Sequence, residues 1–147
     1  MTKLEILKAN YKNSTITPDQ ENPELFTLDK GLKNEMIFRV LTGTESFNAA
    51  KREIKASLSF FEPCVLAAYC ENTNLPENLF KELSEAFDAG HLPSLSLLLF
   101  AILEKSPFGF QGFATTMIYR HGAGYFLGSF ENREIPLGKD FFAYRID

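Results

Sequence analysis

The stretch HLPSLSLLLFAILEK, residues His91–Lys105, is the most apolar part of the sequence. Every residue from Leu95 to Leu103 except Ser96 is apolar, so no face of this segment can remain in water. The run is also much shorter than the ~20 residues that a membrane-spanning helix requires. We therefore expect it to form a helix at the centre of a hydrophobic core, around which the rest of the chain packs.

The size and composition of the chain indicate a folded protein with a solid core. Of its 147 residues, 45% are hydrophobic and 23% are charged, and 15 are Phe. A chain of this length buries roughly 70% of the surface that its unfolded form exposes. The net charge of −4 argues against a nucleic-acid partner, since proteins that bind nucleic acids present basic surfaces.

The cysteines and histidines predict no metal, no cofactor and no disulfide. Cys64 and Cys70 are six positions apart, which places them on opposite sides if both lie on one helix. The two histidines, His91 and His121, do not form a pair at metal-binding spacing. The residues that follow Met1 lack the apolar centre of a signal peptide, so we expect a soluble cytoplasmic protein without a membrane partner.

Helical patterns dominate the first two-thirds of the sequence. Thr2-Lys-Leu-Glu5 has the form of a capping box. Met36–Leu41 repeats apolar residues at helical spacing, and Gly43 is placed to end that helix. Glu45–Phe61 is the clearest amphipathic pattern, whereas Asn13–Glu24 is polar, carries two prolines and is expected to be a loop. Further helical patterns are expected at 64–70, at 76–89 and in the central apolar stretch.

The C-terminal third favours strands. Phe113–Arg120 and Phe141–Ile146 are rich in β-branched and aromatic residues. Tyr125–Phe130 can pair back on the first of these segments through a glycine-rich turn at 121–124. That turn could also hold an anion, but it lacks the spacing of a phosphate-binding loop, and a simple turn is favoured.

Together these patterns predict an α+β fold in one globular domain, residues 1–147. A helical body of about five helices is expected over residues 2–105. A small C-terminal three-stranded antiparallel meander is expected over residues 113–146, packed on that body. No internal repeat or long linker divides the sequence.

One interpretation of function is enzymatic. Cys64 follows Pro63 where a helix is expected to begin, and the exposed amides of a helix start favour a reactive thiolate. His121 and Asp140 follow, on and beyond the predicted strands, which is the chain order of papain-like hydrolases. These three residues would make a cysteine-dependent hydrolase or deamidase. The residues around Cys64 match no local signature of those enzymes, and an inert, buried cysteine is the simpler alternative.

The favoured interpretation is a small protein-binding module, such as an inhibitor, an immunity-type protein or an adaptor. The C-terminal segment has more aromatic residues than one buried face of a three-stranded sheet can hold, so some should contact another protein. The acidic outer face of the predicted 76–89 helix would suit a basic partner. A carrier of apolar ligands is a third alternative, although a solid core explains the Phe and Leu content equally well. The predicted binding residues are Tyr119, Tyr125, Phe142, Tyr144, Glu82 and Glu85.

Overall fold

The computed structural model describes residues 1–31, 34–58, 85, 88 and 99–147 of the chain. The chain divides into two compact units, one made of Met1–Ala50 with Tyr119–Asp147 and the other of Lys51–Ile118. Among the described residues, the helices are α1 (Lys3–Asn10), α2 (Gly43–Ala56), α3 (Gly109–His121) and α4 (Ala123–Leu127), and residues 99–104 are also helical. The strands are β1 (Thr15–Pro18), β2 (Leu25–Asp29), β3 (Glu35–Thr42), β4 (Ile135–Pro136) and β5 (Phe141–Arg145).

The strands form one antiparallel sheet in the order β1-β2-β3-β5-β4. β3 pairs with β2 on one side and with β5 on the other, with Phe26 opposite Phe38 and Val40 opposite Ala143. The last strand of the chain therefore lies directly beside β3, and the sheet joins the N-terminal and C-terminal parts of the first unit.

Helix α1 packs on one face of this sheet. Side chains alternate between the two faces along a strand, and those that point towards α1 are buried together with Leu7, which has no exposed surface. The expected capping box begins α1, because the N–H of Glu5 donates to Oγ1 of Thr2 (3.2 Å) and the N–H of Thr2 donates to Oε2 of Glu5 (2.7 Å). This prediction is confirmed. The buried cluster consists of Leu7, Phe26, Leu28, Met36, Phe38, Val40, Leu137 and Ala143.

Both edge strands of the sheet carry a proline whose nitrogen faces outward. The N–H of Asp19 donates to β2 (3.0 Å), so the nitrogen of the preceding residue, Pro18, points away from β2. In the same way the N–H of Leu137 donates to β5 (2.9 Å), so the nitrogen of Pro136 points away from β5. Because proline has no N–H, each edge lacks a donor at a position where another strand would pair.

The predicted helical body followed by a three-stranded meander is wrong, since the sheet draws strands from both parts of the chain. Met36–Leu41, predicted as a helix, lies within β3, where Met36, Phe38 and Val40 are buried in alternation. A short apolar run of this kind satisfies a strand and a buried helix equally well. The segment Asn13–Glu24, predicted as a loop, contains β1.

The predicted strand Phe113–Arg120 is part of helix α3. The buried residues of this helix recur at helical spacing. Its β-branched residues are compatible with a helix because the hydroxyls of Thr115 and Thr116 donate to the carbonyl oxygens four residues earlier (2.8 and 2.9 Å). A high content of Thr and aromatic residues was therefore a misleading strand signal. The buried residues are Phe110, Phe113, Ala114 and Met117.

The remaining C-terminal predictions have mixed outcomes. Tyr125–Phe130, predicted as the second strand, contains most of helix α4 and the turn after it. The predicted third strand, Phe141–Ile146, is confirmed, since it contains β5. Gly43, predicted to end a helix, is instead the first residue of α2.

In the second unit, the end of the central apolar stretch is helical. Leu99, Ile102 and Leu103 are at most 1% exposed, whereas Ala101 is exposed, so this part is not buried on all sides. The rest of that stretch, the predicted helix at 64–70 and most of the predicted helix at 76–89 lie outside the described residues. Within the part of the chain that the structure describes, no helix is long and apolar enough to cross a membrane.

Candidate functional site

Exposed aromatic side chains mark the candidate site. In the first unit, Tyr119 is 85% exposed and Tyr125 is 54% exposed, and the two lie on either side of the junction between α3 and α4. Single exposed apolar residues are common on protein surfaces, whereas exposed Tyr is enriched at protein interfaces. The junction is therefore the part of the described surface that calls for a functional explanation.

The last turn of α3 exposes three consecutive side chains. Tyr119, Arg120 and His121 are all exposed. A helix turns by about 100° per residue, so the three side chains spread over about 200° of its surface with Arg120 in the middle. We refer to Tyr119, Arg120, His121 and Tyr125 as the aromatic end of α3.

The rings of His121, Tyr125 and Phe126 pack on one another across the junction. The rings of His121 and Tyr125 are stacked, with centroids 5.0 Å apart and planes inclined by 30°. The ring of Phe126 meets both of them edge-on, at 6.3 Å from His121 and 5.1 Å from Tyr125. Such offset and edge-to-face arrangements are favourable, so these contacts restrict the orientation of the exposed rings.

Two glycines position α4 against the segment that precedes β4. Gly122 separates the two helices and has a φ of 80°, a conformation that residues with a Cβ atom rarely adopt. Gly124 runs close to the segment before β4, and a Cβ atom there would lie 2.2 Å from the carbonyl carbon of Arg133 and 2.4 Å from the nitrogen of Glu134. This close backbone contact fixes the place of Tyr125, which follows Gly124 directly.

Arg120 gives the aromatic end of α3 a positive charge that no described carboxylate pairs with. The side chain of Arg120 has no ion pair or hydrogen bond with a described residue. The sequence contains no acidic residue between Glu104 and Glu131, although acidic residues outnumber basic ones by 19 to 15 in the whole chain. Glu131 itself is engaged by two guanidinium groups, since its carboxylate oxygens lie 3.2 Å from Nη1 of Arg145 and 3.1 Å from Nε of Arg133.

Phe130, another exposed aromatic residue of the first unit, has a partner within the chain. It is 57% exposed, and the guanidinium carbon of Arg145 lies 3.8 Å from the centre of its ring. The N–H of Phe130 also donates to the carbonyl oxygen of Arg145 (3.2 Å). One face of this ring is thus covered by a cation–π contact. The side chain of Tyr119, in contrast, has no ring contact or hydrogen bond with a described residue.

Two of the predicted binding residues, Phe142 and Tyr144, lie on β5. Tyr144 is fully buried, and its hydroxyl donates to Oε2 of Glu134 (2.6 Å). Burial raises the pKa of Tyr144 well above its usual value, and the hydrogen bond to Glu134 raises it further. Phe142 is half-buried and packs near Gly43. Tyr144 therefore belongs to the interior of the first unit and offers no surface to a partner.

The other predicted site residues are only partly described. Cys64 and Glu82 lie outside the described residues, and Glu85 is an exposed helical residue of the second unit. His121 is the last residue of α3, and Asp140 lies in the bend before β5. The predicted position of His121 on a strand is therefore wrong, because the segment that carries it is a helix.

No family model, no curated protein and no solved structure matches this chain. Among the described residues, no group of three or more His, Cys, Asp or Glu side chains is placed to hold a metal ion. The function must therefore be argued from the site itself. Exposed rings supply apolar contact area, and a guanidinium group without a partner among the described residues supplies hydrogen-bond donors. These are the means of binding another molecule.

Proposed function

We propose that this chain is a protein-binding module that contacts its partner through the aromatic end of α3. The observation that carries the proposal is the exposure of Tyr119 and Tyr125 on either side of Arg120, which has no partner among the described residues. Tyr and Arg are enriched at protein interfaces and among the residues that contribute most to binding. An inhibitor, an immunity-type protein or an adaptor would act in this way, by surface complementarity and without a cofactor.

The local packing supports this proposal. The stack with His121 and the backbone contact at Gly124 already restrict Tyr125 in the free protein. Ordering a side chain on binding costs roughly 0.5–1.5 kcal/mol, so a side chain that is held beforehand contributes more of its contact energy to affinity. Tyr119, which is less restrained, adds a large amphipathic ring with a hydroxyl at its tip.

The other surfaces have less support. Glu85 and Asp88 are exposed on a helical part of the second unit, but Glu85 already has an interaction within the chain. Docking of a basic partner there stays a prediction from the sequence. The cytoplasm stays the expected location, because Cys64 and Cys70 do not suggest a disulfide framework. No observation on the described residues favours a hydrolase that uses Cys64.

A photocrosslinking experiment tests the proposal. The crosslinking residue p-benzoylphenylalanine replaces Tyr119 in the whole chain, and in a control it replaces Phe108, which is 69% exposed but belongs to the second unit. Irradiation in extract of the source cells is expected to give a discrete crosslinked protein from position 119 and none from position 108. The same product from both positions would contradict the proposal.

The partner that crosslinking identifies is then purified in its free form. Its affinity for the unmodified chain is measured by calorimetry. Tyr125→Ala is expected to weaken binding by about tenfold or more, since it removes a central aromatic contact. Phe108→Ala is the matched control and should leave the affinity unchanged. An affinity that Tyr125→Ala does not alter would mean that the contact lies elsewhere on the chain.

A further inference from the structure

We infer that the partner segment recognised by the aromatic end of α3 is acidic. The inference rests on the proposed function and names the chemistry of the partner that this function requires. The observation behind the inference is the charge next to the exposed rings. Arg120 lies between two exposed aromatic residues and has no carboxylate partner among the described residues.

Among the described residues, no carboxylate lies within ion-pair distance of the guanidinium of Arg120. No acidic residue occurs on α3 or α4, and the acidic residue that follows them, Glu131, is occupied by Arg133 and Arg145. The net charge of the chain is −4, which in total disfavours an acidic partner. A local positive site in such a field orients an approaching acidic segment and selects it over neutral ones.

The side chains present suit a carboxylate next to an apolar anchor. The guanidinium of Arg120 can donate two parallel hydrogen bonds to one carboxylate. The hydroxyls of Tyr119 and Tyr125 are further donors, and their rings provide apolar surface. The partner segment should therefore carry Asp or Glu beside an aliphatic or aromatic residue.

Single-stranded nucleic acid is the competing anionic partner, because bases also stack on exposed aromatic rings. Binding of nucleic acid requires several cationic groups that follow the phosphate backbone. The aromatic end of α3 supplies a single arginine, in a chain of net negative charge. An acidic protein segment is therefore the better fit, and a nucleic acid becomes a control in the test.

The inference is tested with the whole chain and a fluorescent peptide array. The array holds three sets of short peptides with identical Leu and Phe anchors. The other positions are Asp and Glu in the acidic set, Asn and Gln in the neutral set, and Lys and Arg in the basic set. Affinity is measured by anisotropy at low salt and at physiological salt, and the contact surface is mapped by NMR shifts of Tyr119 and Tyr125. Oligothymidylate serves as the nucleic-acid probe.

We expect the acidic set to bind most tightly and its affinity to fall as salt rises. Arg120→Gln should weaken binding of the acidic set by about threefold to tenfold and leave the affinity for the neutral set unchanged. Lys8→Gln, which removes an exposed charge from α1, should have no effect. The inference is overturned if the neutral or basic set binds as well as the acidic one, if Arg120→Gln does not reduce the preference, or if oligothymidylate binds as tightly.

A different result would separate failure of the proposed function from failure of this inference. If neutral or basic peptides bind as tightly as the acidic set and shift the resonances of Tyr119 and Tyr125, the site binds peptides and only the charge assignment is wrong. If no peptide set shifts these resonances and no crosslinked protein forms at position 119, the site does not bind proteins. The proposed function and the inference then fall together.

Discussion

Lys3 and Glu45 join the first turns of α1 and α2. Nζ of Lys3 lies 2.8 Å from Oε2 of Glu45, and the same oxygen accepts the N–H of Thr42 (2.9 Å). The N–H of Glu45 in turn donates to Oγ1 of Thr42 (3.2 Å), which completes a capping box at the start of α2. One carboxylate therefore caps α2 and holds α1 beside it within the first unit.

Substitutions at Glu45 separate these two roles. Glu45→Gln keeps an acceptor for the N–H of Thr42 but removes the ion pair, and should lower the free energy of unfolding by about 0.5 kcal/mol, the value typical of a partly exposed pair. Glu45→Ala removes both and should cost about 1 to 1.5 kcal/mol. Urea unfolding followed by circular dichroism gives both values. Glu53→Ala, at an exposed position of the same helix, should be nearly neutral, and an equal loss there would show that the cap is unimportant.

The same carboxylate should make stability depend on pH in the acid range. The hydrogen bond from Lys3, together with that from the backbone of Thr42, lowers the pKa of Glu45. A carboxyl group whose pKa is lower in the folded state stabilises the fold above its unfolded pKa, about 4.3, and loses this contribution as the pH falls through the folded pKa. The stability difference between the wild type and Glu45→Gln should therefore shrink below about pH 4. A difference that stays constant down to pH 2 would contradict this account.

Tyr144→Phe tests the buried hydrogen bond to Glu134. The substitution keeps the ring in the core and removes only the hydroxyl, so we expect a loss of about 1 to 2 kcal/mol in the free energy of unfolding. Chemical denaturation at neutral pH measures it. Tyr125→Phe removes the hydroxyl of an exposed tyrosine and is the control, with an expected change near zero. Equal effects at the two positions would mean that the hydrogen bond to Glu134 adds nothing.

The raised pKa of Tyr144 predicts that its contribution to stability is lost as the pH rises, whereas that of Glu45 is lost as the pH falls. Burial keeps the hydroxyl protonated in the folded state, whereas in the unfolded chain it ionises near pH 10. The stabilisation is complete below about pH 10 and is lost as the pH rises towards the folded pKa. The advantage of the wild type over Tyr144→Phe should therefore narrow above about pH 10. Unfolding curves of both proteins over this range check the prediction.

Part of the fold could be read from the sequence. The capping box at Thr2 was recognised and marks the start of α1. The same motif, Thr42-Gly-Thr-Glu45, begins α2 but was overlooked, because Gly43 was interpreted as the end of a preceding helix. The helical stripe of α3 was also present in the sequence. It was hidden by threonines whose hydroxyls bond to the preceding turn, a contact that a propensity scale does not include.

The candidate site could be predicted only in part. Tyr119 and Tyr125 were predicted to be binding residues from the excess of aromatic residues, and they were assigned to paired strands. Their actual arrangement depends on the close approach of Gly124 to the backbone of Arg133, a tertiary contact that leaves no local pattern in the sequence. Tyr144 was assigned to the surface because the pairing of β5 with β3 also leaves no local pattern in the sequence. In the structure, this pairing places Tyr144 in the buried interior.

The prolines at the sheet edges should limit pairing between molecules. Pro18→Thr supplies an outward N–H on β1 and is expected to raise self-association severalfold, because it restores a donor that an approaching strand can use. Light scattering over a concentration series measures the change. Thr17→Val alters the same strand, but its N–H faces β2, so it should leave association unchanged. If both variants associate equally, side-chain properties rather than the edge donor are responsible.

Gly124→Ala tests the contact that positions the aromatic end of α3. An added Cβ would lie 2.2 Å from the backbone of Arg133, which cannot move aside as a flexible side chain would. We expect a loss of about 1 to 3 kcal/mol in the free energy of unfolding, as for other overpacked sites. Gly43→Ala is the matched control, because a Cβ there meets only the ring of Phe142 at 3.7 Å and lies in a helix, where Ala is favoured by up to about 1 kcal/mol. Opposite signs for the same substitution, measured by urea unfolding, would establish that α4 is held by direct backbone packing. If Gly124→Ala proved as harmless as Gly43→Ala, α4 could not be held against Arg133 by this contact, and the orientation of Tyr125 would need another cause.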